Sequence, residues 1–141
     1  MQTNISEAAF MTGMPYPGEN ASNECIKDLL LSLAKLGSKK IVITGVESAD
    51  HKFGFMGYDS ETKEFFEYYT PKVQMKSHGT GDVFASTFTG ALMNDYNIQD
   101  SLKIAADFTK ACINNTYNDP EAVNYAVNFE SEIPYLLKLI R

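Results

Sequence analysis

Between residues 24 and 36 apolar side chains return at helical spacing, as Ile26, Leu29, Leu30, Leu33 and Leu36, with Gly37 behind them. The stripe predicts an amphipathic helix that a glycine turn closes. "KKIVITG" follows and predicts a short, fully buried strand running into a turn. Helix, tight turn and buried strand in that order predict a three-layer parallel α/β arrangement. "KFGFMGYD" and "EFFEYYT" predict two aromatic-rich strands, joined as a hairpin across residues 60–63. "TNISEAAFMTG" predicts a short helix capped by Asn4, with Glu7 three places on and Gly13 closing it. Residues 82–93 predict a helix whose small residues (Ala85, Ser86, Gly90, Ala91) let it pack close to a sheet. Asn97 and Asp100 mark the cap of another helix reaching about Asn114, and "ESEIPYLLKLIR" predicts a short terminal one. No repeat or linker interrupts the pattern, so residues 1–141 are expected to form a single domain, or part of one.

Composition narrows the classes. A chain of 141 residues can bury a real core, and 44% hydrophobic with 21% charged residues is a globular balance. The formal net charge of −6 argues against a nucleic-acid partner, which would ask for a positive face. No apolar run reaches the length of a membrane span and no basic-then-apolar leader opens the chain, so a cytoplasmic protein without membrane contact is expected. Cys25 and Cys112 are expected to be buried free thiols. His51 and His78 are far apart and no C-x-x-C occurs, which leaves a structural zinc site without support.

The stretch with chemistry in it is "SHGTGDVFASTFTGALM", where Gly79, Thr80, Gly81 and Asp82 stand where a helix starts. A P-loop is excluded because no Gly-Lys pair occurs. The dinucleotide fingerprint is excluded because Phe84 stands where its third glycine belongs. A plain loop leading into a helix cap would also explain the glycines. Yet glycines at a helix N-terminus let a ligand approach amides that have no intrahelical partner, in the positive field of the helix dipole. Such a site suits the negative charge that develops on a phosphoryl group in transfer. A carboxylate beside an anion hole repels the anion, and is useful there if it takes a proton from an attacking hydroxyl. Anion hole plus base is a kinase arrangement.

Three segments in order, "NISE", "VITG" and "HGTGDVFAS", resemble the motifs of the ribokinase-like (PfkB) superfamily. "NISEAAFMTG", "HGTGDVFASTFTGAL" and "EFFEYYTPKV" are most similar to its bacterial pyridoxal/pyridoxamine kinase branch. The resemblance covers nearly the whole chain and weakens after about Asn115. It implies a ribokinase-like three-layer α/β/α sandwich, Rossmann-like, and transfer of the ATP γ-phosphoryl group to the 5′-hydroxymethyl of a B6 vitamer. It also implies that Glu7 positions Mg2+, usually through water, and that Asn4 stands near the nucleotide phosphates. Thr44 and Gly45, at the exit of the buried strand, would touch ATP phosphates; a strand-ending turn is the plainer alternative. Gly79, Thr80 and Gly81 match the anion hole and Asp82 the catalytic base. A simple capping box remains the alternative for Asn4 and Glu7. Val73 and the face formed by residues 105–112 are candidates for the adenine pocket, with core packing the better reading of each, and His78 is assigned to loop packing. Within the superfamily, hydroxymethylpyrimidine kinases often carry Cys where Asp82 stands, and sugar kinases share G-x-G-D but match the flanks less well. A non-catalytic nucleotide-binding or assembly module is the alternative of a different class.

The chain departs from the branch at its start. Thr3 stands where Thr-Pro would place the proline, and the strand ahead of Asn4 is expected to be missing. Complete members are much longer, so the chain is expected to be the C-terminal, nucleotide-binding half, without the N-terminal substrate half. An uncovered sheet edge would then favour self-association, a homo-oligomer such as a dimer being expected. Light scattering that returned a clean monomer at high concentration would count against it.

Overall fold

The structure is a computed structural model that describes residues 1–18, 20–71, 79–123 and 126–140. Val73 and His78 lie outside the described residues. The chain forms two compact units, Met1–Lys72 and Val73–Arg141.

In the first unit, strand β1 (Gln2–Asn4) leads directly into helix α1 (Ile5–Thr12), followed by α2 (Asn23–Ala34), β2 (Lys40–Glu47), β3 (Phe53–Asp59) and β4 (Glu64–Thr70). The strands make one sheet in the order β1-β2-β3-β4. β1 pairs parallel with β2 and the other two pairings are antiparallel. The sheet is therefore mixed, and the parallel arrangement expected from the sequence holds only for β1 and β2. The strand expected to be missing ahead of Asn4 is present as β1. Its three residues are too few to show a period, and they become a strand by pairing with β2 some 40 positions away.

The stripe on α2 buries Ile26, Leu29, Leu30 and Leu33, which pack with Ile5, Ala8 and Ala9 of α1 and with Ile41, Ile43, Val46, Met56 and Tyr58 of the sheet. The helix stops at Ala34, so Leu36 falls in the following turn and is 59% exposed. Cys25 is exposed too, a correction to its expected burial: it precedes the stripe, in the first turn, where its amide donates to the Ser22 cap. Cys112 is buried, and burial pushes its thiol up to about 11.

The β3–β4 hairpin turns as expected, with Lys63 left-handed. Asp59 holds that turn, accepting from the amides of Glu61 (2.9 Å) and Thr62 (3.4 Å) and from the Lys40 ammonium (3.0 Å). Burial raises the Asp59 carboxyl, but the Lys40 hydrogen bond and the two amides together outweigh it and hold the group below its ordinary 3.8. A carboxyl depressed in the folded state contributes stability above its unfolded pKa and loses it as pH falls through the folded value. Unfolding free energy measured from about pH 5 down to about pH 2 is expected to decline, and Asp59→Asn to flatten part of that decline. An unchanged slope in the variant would remove Asp59 from the explanation.

In the second unit α3 (Thr80–Met93) packs against α4 (Ile98–Asn118). α3 starts two residues earlier than the pattern predicts and α4 runs about one turn further. The buried side of α3 is Phe84, Thr87, Phe88 and Ala91, and the Phe84 and Phe88 rings stack with centroids 6.2 Å apart. Ser86 and Gly90 are exposed, whereas Ala91 is buried. A 3-10 turn (Glu130–Glu132) opens into the terminal helix α5 (Ile133–Leu139). This segment is tied to α4 by Asn128 N donating to Thr116 Oγ1 (2.8 Å) and Asn115 Nδ2 donating to Glu132 Oε1 (2.9 Å).

Candidate active site

The candidate residues fall into two groups, one on each unit. In the first, β1 and β2 run side by side, with Asn4 opposite Thr44. At that level β1 gives way to α1 and the β2–β3 register shifts. Gly45 sits at the shift with φ 72°, a left-handed conformation that a side chain would strain. The expectation that Thr44 and Gly45 end their strand is thus corrected. β2 continues to Glu47, and Gly45 is a bulge inside it. The position still lies at the carboxyl end of the parallel pair, where open α/β sheets take their ligands.

Asn4 caps α1: its Oδ1 accepts from Glu7 N (2.8 Å), and Glu7 Oε2 accepts from Asn4 N (3.1 Å). The capping box is therefore real, and it uses one carboxylate oxygen. Glu7 Oε2 also accepts from Thr3 Oγ1 (3.0 Å), whereas Oε1 has no hydrogen-bond partner among the described residues. Thr44 Oγ1 donates to the Thr3 carbonyl (3.4 Å). Thr3 thus links the two motifs, which motif reading missed. Its signal was the departure from Thr-Pro. A groove of about 510 Å³ opens beside Glu7, lined also by Met1, Gln2, Ser6, Phe10 and Met11.

In the second group, Gly79 caps α3 with φ 91° and no side-chain hydrogen bond, and its carbonyl accepts the first helical bond, from Val83 N (3.0 Å). Thr80, Gly81 and Asp82 are the first three helical residues. Among the described residues the amides of Gly81 and Asp82 have no partner, as the start of a helix dictates. Among the described residues, nothing lies within 4 Å of where a Cβ would stand on Gly79 or Gly81. No described residue covers the backbone there, and Asp82 is exposed beside it.

Most of the expected adenine face is core: Ala105, Ala106, Phe108, Thr109 and Cys112 are buried. A cavity of about 860 Å³ along the end of α4 carries Asp119, Glu130 and Glu132. Three carboxylates would repel a triphosphate, so that cavity has no place in the candidate site. Among the described residues, no group of three His, Cys, Asp or Glu could hold a metal, and no helix is long and apolar enough to cross a membrane.

The family model of phosphomethylpyrimidine kinase matches residues 1–127. The chain belongs to this family. The match includes both candidate groups and stops before α5. Among solved structures, a protein assigned as a phosphomethylpyrimidine kinase from Bacteroides thetaiotaomicron is similar at 25% identity and TM-score 0.87, over 97% of this chain and 46% of that one. A second crystal form of it, described as containing pyridoxal, matches with TM-score 0.84. Pyridoxal kinase from Lactobacillus plantarum matches at 23% identity and TM-score 0.81, over 98% of this chain and 49% of that one. Pyridoxal kinase from Staphylococcus aureus in complex with ADP matches at 24% identity and TM-score 0.71, over 89% and 44%. The chain spans about half the length of these structures, and no curated protein matches it. The fold is that of ribokinase-like kinases: α/β, with a mixed four-stranded sheet.

Proposed function

We propose that this chain carries the nucleotide side of a kinase that moves the γ-phosphoryl group of ATP to the 5′-hydroxymethyl of a B6 vitamer. The observation that carries the reading is the start of α3, where the helix end leaves the Gly81 and Asp82 amides without partners among the described residues, beside two glycines and an exposed carboxylate. Family membership supports the reaction class. Asp82, rather than Cys, and the pyridoxal in the Bacteroides structure support the vitamer over a pyrimidine.

In this reading the amides of Gly79, Thr80 and Gly81, together with that of Asp82, stabilise the phosphoryl oxygens as charge spreads over them. Asp82 accepts the hydroxyl proton while the alcohol oxygen bonds to the γ-phosphorus and the bond to the β-phosphate oxygen breaks, releasing ADP. Asn4 offers a phosphate oxygen its Nδ2, which has no partner among the described residues. Thr44 and Gly45 contact the phosphates from the bulge. The donor set suits magnesium: one carboxylate with Oε1 left over at Glu7, and no cluster of acids among the described residues, match an ion that keeps several waters. Bound there, Mg2+ would neutralise phosphate charge.

The test is ADP release from Mg-ATP with pyridoxal, hydroxymethylpyrimidine or ribose as acceptor. Release fastest with pyridoxal is expected, and preference for either other acceptor overturns the substrate. A second reading is a non-catalytic nucleotide-binding module. It gives nucleotide binding without acceptor-dependent ADP.

A further inference from the structure

Thr3 is almost fully buried, 3% exposed, in a strand of only three residues. Its hydroxyl lies 3.0 Å from Glu7 Oε2 and 3.3 Å from the Asn4 carbonyl. A hydroxyl has a single proton, and the shorter approach to a charged acceptor takes it. Together with the Asn4 amide, this donor fixes Oε2 and so sets the plane of the whole carboxylate. We infer that Thr3 is the positioning residue for Glu7, holding Oε2 so that Oε1 faces the magnesium hydration shell. The inference rests on the magnesium role proposed for Glu7 and adds a residue outside the family motifs "NISE", "VITG" and "HGTGDVFAS".

Three features make the arrangement more than a local cap. The capping box needs only Asn4 and Glu7, so Thr3 adds a second donor to an oxygen that the helix cap has already satisfied. The side chain is buried and therefore locked, whereas an exposed threonine could turn away. The Thr3 carbonyl also accepts from Thr44 Oγ1, so the residue that orients the carboxylate is the one that ties β1 to the bulged end of β2. A proline at this position has no hydroxyl, so a chain with Thr-Pro here would have to orient its glutamate in some other way.

The experiment uses the 141-residue chain with Mn2+ as probe and reads paramagnetic broadening of the Glu7 side-chain carboxyl carbon by NMR. Glu7→Gln serves as reference. Broadening of this carbon in the wild-type chain, with the equivalent side-chain carbonyl carbon left sharp in Glu7→Gln, supports the role of Glu7. Against that background Thr3→Val is expected to weaken Mn2+ about tenfold, the lower end of the cost of losing an outer hydrogen-bond partner of a metal ligand. Thr3→Ser, which keeps the hydroxyl, is expected to stay within about twofold of wild type. Thr3→Val binding Mn2+ as wild type does, while Glu7→Gln does not, overturns the inference and leaves Glu7 standing. No Mn2+ effect in the wild-type chain overturns both. Thermal melts accompany each variant. A purely structural Thr3 would lower the melting temperature of Thr3→Val without changing Mn2+ affinity, which also overturns the inference.

Discussion

Asp82→Asn is expected to lower kcat for phosphoryl transfer about a thousandfold, within the range that general base catalysis supplies, in any assembly of this chain that turns over a hydroxymethyl substrate. The substitution keeps size and hydrogen-bonding capacity and removes the basicity. Nucleotide affinity is expected to stay within about twofold, because removing a negative charge beside a triphosphate relieves repulsion and loses no contact. The plainer role of Asp82, an acid in the first turn of α3 that complements the helix dipole, predicts something different. That contribution is about 0.3–1 kcal/mol of helix stability and leaves turnover untouched. Single-turnover kinetics alongside a thermal melt separates the two. Undiminished turnover would take Asp82 out of the mechanism.

Gly54→Ala is the change expected to do most damage to the fold. A Cβ on Gly54 would lie 2.0 Å from the Tyr68 carbonyl oxygen, 2.9 Å from its carbon and 2.6 Å from Tyr69 Cδ1. Two of these atoms are backbone of the neighbouring strand, so no side-chain rotation relieves the clash, and β3 must move away from β4. Gly54 pairs with Val46 on one side and Tyr69 on the other, directly after the Gly45 bulge, so the disturbance reaches the β2 end as well. A loss of about 3 kcal/mol is expected, at the upper end of overpacking costs. Gly90→Ala is the control. It sits in the interior of α3 with nothing among the described residues within 4 Å of an added Cβ, and gains about 1 kcal/mol from helix propensity alone. Denaturant unfolding of the two variants should move in opposite directions. A Gly54→Ala chain as stable as wild type would mean that β3 and β4 do not pair in this register.

What the sequence made readable was whatever depends on neighbours in the chain. The α2 stripe, the Asn4–Glu7 cap and the β3–β4 hairpin are patterns complete within a dozen residues, and each is present. β1 was not readable, because three residues carry no period and their pairing partner is far along the chain. The bulge at Gly45 was hidden for a related reason. A glycine after a buried run reads as a turn, and only the pairing of Val46 with Gly54 shows that the strand goes on. Cys25 looked apolar by company, yet it stands off the stripe that Ile26 begins. At the candidate site, motif spacing pointed to Asn4, Glu7, Thr44 and Gly45, which the first unit brings to one end of the β1–β2 pair. Thr3 was not readable, since nothing in its spacing shows a hydroxyl turned toward Glu7.

The most direct measurement is a crystal structure of this chain with magnesium and a non-hydrolysable ATP analogue. The expected result has phosphate oxygens within about 3 Å of the Gly81 and Asp82 amides, the usual hydrogen-bond distance. A triphosphate seated away from the start of α3, with those amides still unpartnered, contradicts it.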